Sequence, residues 1–361
     1  KITKVLLKNP RKIKSYLNAT KDKIVRLRRH VTPFKVRRLR RLRNSQRSAL
    51  SFTGKRALVY VIFESENRLQ EYKLRFLQAL SPLMDDVIVV VNGSLHVEDV
   101  NNLKSYGQVL IRDNKGYDTA AFREGIFDFG KDKLKNYDQL FLVNDTNIGP
   151  MSDLSQLCQE MTDRHLDFWG ISFGEEQEDV TKENPYGYIP KHLQSYFLVI
   201  EKLMLNDDAF YSYWTDLTDT DSRDKAIGRH ETRFTKYFAD LGYRFDAVVQ
   251  EYEDSAMYIH PLRMLKAGSP LVKYTALKNY DEEQFLWQGL ERESEIPDLL
   301  EYITDKTDYP VSILEEIINK FKAVPREQYI LLIDGVENII PQCTRYRVLN
   351  KAEQLRKHGF E

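Results

Sequence analysis

The sequence predicts an α/β fold built on a mostly parallel sheet. Residues 56–63, RALVYVIF, form a continuous apolar run, as a strand buried on both faces requires. Strand-like and helix-like segments then alternate as far as residue 143, an order that right-handed crossovers turn into parallel strands with covering helices. The last strand of that series, 139–143, ends directly on Asn144-Asp145-Thr146. In open α/β sheets, ligands sit outside the carboxyl ends of the strands.

Before this core lies a basic arm. Residues 1–50 hold 18 Lys and Arg against one acid, Asp22, although the whole chain of 361 residues balances 54 bases with 54 acids. Pro10 and Pro33 divide the arm, and Ile24, Leu27, Val31 and then Val36, Leu39, Leu42 fall near helical spacing. Such a segment suits an anionic membrane surface. A solvated helical linker and a nucleic-acid arm are the other readings. No nucleic-acid-reading motif follows, so membrane is the expected partner of residues 1–47 and nucleic acid is not.

After the strand at 56–63, residues 69–80 suit a helix, 87–91 a strand closed by an Asn92-Gly93 turn, 97–106 a helix and 109–112 a strand. A polar turn with Asp113, Asn114, Gly116 and Asp118 leads into a helix over 119–129 and the strand 139–143. Then come a helix at 152–165, a strand at 167–173, an acidic loop at 174–189 of lid length, a strand at 193–200 and a helix at 206–217. In 229–243, Phe234, Tyr237, Phe238 and Leu241 share one helix face, with Gly242 as C-cap. Residues 280–323 read as helices joined by Pro297 and Pro310; 329–334 is strand-like and 346–358 helical.

Several classes are excluded. No run approaches the ~18 apolar residues of a membrane span. Cys158 and Cys343 are the only cysteines, too few for a disulfide framework or a cysteine metal site. Neither a Gly-x-Gly-x-x-Gly loop nor a Walker loop occurs. The first residue is Lys1 and no signal-peptide pattern is seen, so a piece of a longer protein is expected.

Asp145, at a strand tip, is placed to hold a divalent metal through oxygen, with Asn144 steering its partners; such sites combine one or two carboxylates with the ligand's phosphates. The same tripeptide also suits a turn and N-cap before Met151. Glu231 falls in the first turn of the helix at 229–243, where an acid is stabilising without any chemistry. His260 is a metal or phosphate partner or a capping residue, and Lys273 and Arg263 meet phosphate or solvent.

Five motifs in one order then matter: Arg112-Asp113-Asn114-Lys115-Gly116-Tyr117-Asp118; Asn144-Asp145-Thr146 with Gly149-Pro150; Asp167-Phe168-Trp169-Gly170; His192-Leu193-Gln194-Ser195-Tyr196-Phe197; and Gly228-Arg229-His230-Glu231-Thr232. Over residues 56–273 the chain resembles the rhamnan synthesis protein F family, placed among glycosyltransferases of the GT-A fold. It differs from many GT-A enzymes in carrying Asn-Asp-Thr where they have Asp-x-Asp. The tail at 345–359 is similar to the first β-α unit of a GT-B glycosyltransferase domain.

The resemblance implies a GT-A-like, half-Rossmann α/β fold, with a mostly parallel sheet and helices on both faces. The expected division is a basic helical arm at 1–50, the GT-A-like domain at 51–275, a helical connector or appendage at 276–325 and a truncated GT-B-like domain at 326–361. It further implies an inverting transferase with Glu231 as catalytic base and Mg²⁺ or Mn²⁺ held by Asp145 and His260. Asp113, Asn114, Asp118, Arg123 and Asn144 would contact the nucleotide-sugar donor. Trp169, His192, Tyr196 and His230 would border the sugar or acceptor. The implied donor is dTDP-β-L-rhamnose and the acceptor a growing cell-surface polysaccharide on a lipid carrier. That places the chain in the cytoplasm, on the inner face of the cell membrane. The alternative is a non-catalytic carbohydrate-binding or scaffolding module of a larger synthase.

Overall fold

The computed structural model describes residues 33–250, 256–280 and 294–323. The chain divides into two compact units, Lys1–Ile318 and Asn319–Glu361, and the sheet with its covering helices belongs to the first. The arm before residue 33, the apolar segment at 285–290 and the strand and helix expected at 329–358 lie outside the described residues.

Seven strands form the main sheet: β1 Arg56–Phe63, β2 Asp86–Asn92, β3 Gln108–Arg112, β4 Gln139–Asn144, β5 Phe168–Gly170, β6 Phe197–Glu201 and β7 Phe245–Ala247. Their spatial order is β7-β5-β6-β4-β1-β2-β3. β1 pairs in parallel with β2 and β4, whereas β6 runs antiparallel to both β4 and β5. The result is the GT-A-like, mostly parallel α/β sheet that the resemblance implies.

Strand alternation sends side chains to two cores. Ala57, Val59 and Val61 of β1 enter one, and Leu58, Tyr60 and Ile62 the other, all six at 0 % exposure. Burying one such aliphatic side chain is worth about 1.5–3 kcal/mol, so β1 anchors the sheet. Helices labelled in chain order are α1 Pro33–Arg47, α2 Glu71–Leu80, α3 Val97–Leu103, α4 Tyr117–Phe129, α5 Leu154–Asp163, α6 Asp208–Thr215, α7 Thr232–Asp240 and α8 Ile296–Lys306. Phe122 and Ile126 of α4, Phe210 of α6 and Phe234 and Phe238 of α7 fill the first core. Phe76 and Leu77 of α2 and Leu157 and Met161 of α5 fill the second. Gly125 lets α4 approach β1 closely, since a Cβ there would lie 2.5 Å from a methyl of Val59.

The sheet corrects the sequence reading in four places, the first being 167–173, where only Phe168–Gly170 joins the main sheet and Phe173–Gly174 lies in another ladder. Residues 193–200 are not one strand. His192–Leu193 pairs with Phe173–Gly174 in a separate ladder, and the chain then enters the main sheet as β6. An apolar run does not encode strand direction, so the reversal of β6 is invisible in it. The short β7 and the two-residue strand Val272–Lys273, antiparallel to Asn147–Ile148, also escape the sequence reading. Runs this short establish no periodicity.

The basic helix α1 packs on the unit by one side. Arg43 is ion-paired with Asp207 and lies 4.3 Å from the centre of the Tyr243 ring, and Arg47 pairs with the buried Asp167. Leu39 rests on Gly242, where a Cβ would meet Leu39 Cβ at 2.6 Å. Phe34, Arg37, Arg38, Arg40, Arg41 and Leu42 stay exposed. No helix among the described residues is long and apolar enough to cross a membrane. α8 joins the same unit through Glu295, just before it. That carboxylate bonds His260 Nδ1 at 2.6 Å and accepts from the Leu262 amide at 3.1 Å.

Candidate active site

At the carboxyl end of β4 lies a cavity of about 170 Å³. Its walls come from the start of α4 (Tyr117, Asp118, Thr119), the β4 tip (Asn144, Thr146), Ser195 and Tyr196 before β6, the stretch from Arg223 to Glu231, and Tyr258 and Lys273. A larger cavity of about 540 Å³ sits elsewhere, between α2, residues 150–153 and residues 306–309. We place the candidate site in the smaller one, because four of the five sequence motifs converge on it.

Asn144 organises the floor. Its Nδ2 donates to Asp118 Oδ2 at 2.8 Å, and its Oδ1 accepts from the Thr146 hydroxyl at 2.7 Å and the Thr146 amide at 3.2 Å. Burial pushes the Asp118 carboxyl up to about 6; the Asp145 charge adds to this, and the Asn144 bond and Lys273 oppose it.

Lys273 is set in place by the ladder that pairs it with Asn147, and by the Tyr274 amide donating to the Thr146 carbonyl at 2.9 Å. Its ammonium donates to the Thr146 hydroxyl and sits 4.0 Å from the centre of the Tyr196 ring. The residue is 4 % exposed. Burial lowers its pKa to about 7, against the opposing charges of Glu231, Asp118 and Asp145.

Glu231 lines the same cavity, and one carboxylate oxygen accepts from the Ser195 amide at 3.1 Å. Its backbone setting differs from expectation. A short helix, Arg223–Ala226, runs through a π-helical turn, Ile227–Glu231, into α7. Glu231 (φ −55°, ψ −57°) is therefore inside a helical run, not at a free N-terminus, and no helix dipole supports it. π-turns recur at functional sites because they re-aim side chains.

Other expected site residues have different surroundings. Asp145 is buried; its Oδ2 pairs with Lys73 at 2.7 Å and accepts from the Phe63 amide at 2.8 Å. Lys73 also reaches Glu64 at 3.0 Å. His260 is bound to Glu295 and does not line the cavity. The donor set expected for Mg²⁺ or Mn²⁺ thus does not fit: one ligand is neutralised by a lysine, the other engaged elsewhere. Among the described residues no group of three or more His, Cys, Asp or Glu side chains could hold a metal ion.

Trp169 is a core residue at 0 % exposure whose indole N–H donates to Glu201 at 3.0 Å. Arg123 holds the loop after α6, donating to the Leu217 carbonyl at 2.8 Å and pairing with Asp219. His192 contacts the Pro190 carbonyl at 2.8 Å, and buried His230 faces the Thr218 carbonyl at 3.3 Å with its pKa lowered to about 4 by burial. Asp113 and Asn114 are exposed on the turn after β3 and do not line the cavity. Of the expected site residues, Asp118, Asn144, Tyr196 and Glu231 are brought together. Thr146, Ser195 and Arg223 also line the cavity although the sequence reading assigns them no role there, and it gives Lys273 no more than phosphate or solvent. The available signal is the odd third position of Asn-Asp-Thr.

The model of the family described as "Rhamnan synthesis protein F" matches residues 87–349. The chain belongs to the rhamnan synthesis protein F family. A curated relative, the uncharacterised protein y4gN of Sinorhizobium fredii, is 24 % identical over 239 residues, which are 65 % of this chain and 59 % of that protein. This family member therefore spans under two thirds of that relative's length. Among solved structures, TarS residues 1–349 from S. aureus aligns with a TM-score of 0.30 and 12 % identity, covering 74 % of this chain and 70 % of that one. The Mn/GDP form of core-mannan synthase A from Aspergillus fumigatus gives 0.30 and 12 %, covering 54 % and 72 %. The S. cerevisiae mannosyltransferase Ktr4p with GDP gives 0.32 and 10 %, covering 53 % and 67 %. At these scores the likeness adds nothing to what the strand order already says.

Proposed function

We propose that this family member is a nucleotide-sugar-dependent glycosyltransferase acting with inversion, and that the cavity at the end of β4 is its active site. One observation carries the reading: a carboxylate, Glu231, and a buried ammonium, Lys273, face one cavity at the carboxyl end of a parallel strand. That pairs a proton acceptor with a cation for a leaving anion.

The step is a single displacement. The acceptor hydroxyl oxygen attacks the anomeric carbon, and the bond from that carbon to the diphosphate oxygen breaks. The diphosphate leaves with the electron pair, and Glu231 takes the hydroxyl proton. Positioned proton transfer of this kind contributes about 10²–10⁴-fold. The Ser195 amide holds one Glu231 oxygen at 3.1 Å and leaves the other for the acceptor. The Tyr196 ring and Tyr258 provide apolar wall against which a sugar packs.

The finer reading takes L-rhamnose from dTDP-β-L-rhamnose as the transferred sugar, as the family's description supports. The acceptor is a growing cell-surface polysaccharide on a lipid carrier. The exposed basic side of α1 supports a location at the inner membrane face.

The test is release of nucleoside diphosphate from a panel of nucleotide-sugars that includes dTDP-β-L-rhamnose, with oligosaccharide acceptors present. Release that Glu231→Gln abolishes supports the reading. Turnover by Glu231→Gln at the wild-type rate refutes the base. The second reading, a non-catalytic carbohydrate-binding module, is favoured by Asn-Asp-Thr in place of Asp-x-Asp; it predicts acceptor binding with no donor turnover.

A further inference from the structure

We propose that Lys273, with Arg223 at the rim, is the cation that receives the donor's diphosphate, in the role a divalent metal would otherwise take. The inference rests on the transferase reading and goes beyond it.

Two buried lysines flank Asn144-Asp145-Thr146 and are treated differently. Lys73, on one side, lies within 3.0 Å of Glu64 and 2.7 Å of Asp145, so its charge is matched and Asp145 is neutralised inside the fold. Lys273, on the other side, has no carboxylate within ion-pair distance among the described residues. Its ammonium is held by the Thr146 hydroxyl and the face of Tyr196, 4.0 Å away. Thr146 stands at the third position of the tripeptide, where the Asp-x-Asp pattern has its second acid. In this chain that position is a neutral hydroxyl, and the Lys273 ammonium donates to it.

A buried ammonium with no carboxylate at ion-pair distance is expensive to keep. The cost makes sense when an anion arrives at the same place. Arg223 is exposed, lines the cavity and has no carboxylate partner among the described residues. Together the two side chains match the two negative charges of a sugar diphosphate. Of the neighbouring acids only Asp145 is matched by a cation among the described residues, Lys73; Asp118, bonded to Asn144, and Glu231, bonded to the Ser195 amide, keep charges that Lys273 and Arg223 have to outweigh. Burial lowers the Lys273 pKa to about 7, so near neutral pH the side chain is only partly charged, and an arriving anion would draw it to the ammonium form.

The experiment is calorimetric binding of dTDP and of UDP to the full chain, with EDTA and separately with Mn²⁺. Wild type, Lys273→Met, Lys273→Arg and Arg223→Ala are compared, with melting curves confirming each fold. Expected is binding in EDTA within about twofold of that with Mn²⁺. Lys273→Met should weaken it by about tenfold or more in both conditions, the scale of a lost hydrogen bond to a charged group. Lys273→Arg should recover part of the loss. Arg223→Ala, an exposed change that tests the idea even if Lys273→Met fails to fold, should weaken binding by about threefold and flatten its salt dependence. Binding that is absent in EDTA and restored by Mn²⁺ overturns the lysine's role and leaves the transferase reading standing. Failure of every nucleoside diphosphate to bind, with or without Mn²⁺, overturns both.

Discussion

The ammonium of Lys273 donates to the hydroxyl of Thr146, joining residues 127 positions apart in sequence across a two-residue ladder. This bond ties the β4 tip to the strand Val272–Lys273, and it brings a cation to the carboxyl end of the sheet. The ligand chemistry proposed for the cavity starts from it.

Binding should depend on pH. Lys273, at about 7, faces Glu231, Asp118 and Asp145, which favour its charge, and Arg223, which disfavours it. An anionic ligand selects the ammonium form, whose fraction falls as pH rises through that value. Affinity for a nucleotide-sugar, whose diphosphate does not titrate there, should therefore drop by up to about tenfold per pH unit above about 7 and level off below it. Asp118, at about 6, loses its repelling charge on further acidification and tightens binding again. Calorimetry in two buffers of different ionisation enthalpy should reveal proton uptake on binding; flat affinity across this range contradicts the assignment.

Replacing Glu231 by Gln should cut turnover by about 10²–10⁴-fold. Binding of dTDP should change far less than turnover, because the Ser195 amide still finds an acceptor in the amide oxygen, and losing the Glu231 charge relieves repulsion of the diphosphate while weakening support for the Lys273 ammonium. Steady-state rates set beside calorimetry check this. Equal losses in binding and turnover would make Glu231 a structural residue.

Asp145→Asn should act on stability before chemistry. It removes the partner of a buried ammonium and weakens the acceptor for the Phe63 amide, which should cost about 1–3 kcal/mol in chemical denaturation. Glu64 remains beside Lys73 and limits the loss. A variant as stable as wild type that loses only Mn²⁺-dependent binding would return Asp145 to a metal-ligand role.

A second buried acid gives a stability test away from the site. Glu201 accepts from Gln139 at 2.8 Å and Trp169 at 3.0 Å, and burial pushes its pKa up to about 7. The folded state thus holds a proton that the unfolded state releases, so this group's contribution is present at low pH and fades as pH rises through about 7. Glu201→Gln should flatten that fall and gain, relative to wild type at alkaline pH, on the order of 1–3 kcal/mol. Melting curves at several pH values decide, and a constant difference between the two proteins contradicts the reading.

Much of the fold was legible because the central strands are long apolar runs. The run at 56–63 is β1 to the residue, and 139–143 differs from β4 by one position. The reversed β6, the three residues of β7 and the ladder at Lys273 were not legible, since pairing partners fix them and local pattern does not. The site divided along the same line. Asn144, Asp118, Tyr196 and Glu231 could be named from motifs; the first three sit at or beside element ends that face the cavity, whereas Glu231 reaches it from a π-helical turn inside a helical run. Trp169 and Arg123 looked equally suited by type, but Trp169 faces Glu201 inside the core and Arg123 turns to the Leu217 carbonyl. Side-chain direction at these positions depends on tertiary neighbours that one sequence does not display.

The exposed cations Arg37, Arg38, Arg40 and Arg41 of α1 predict vesicle binding. Flotation with vesicles containing anionic lipid should recover the protein, and reversing Arg37, Arg38 and Arg41 to Glu should lower that recovery, with the eleven bases before residue 33 remaining; each charge is worth about 1 kcal/mol near such a surface. Those residues make no ion pair with the unit among the described residues, so melting should be unchanged. Equal recovery on neutral vesicles would contradict an electrostatic anchor.

The most direct test of a metal-free donor site is a crystal structure with a nucleotide-sugar bound in the presence of EDTA. Diphosphate oxygens should lie within hydrogen-bond distance of Lys273 Nζ, with the free Glu231 oxygen open toward the acceptor side of the sugar. A donor seated in the larger cavity beside Arg75 and Tyr309, or one that binds only when a metal bridges Asp145 and the diphosphate, would contradict it.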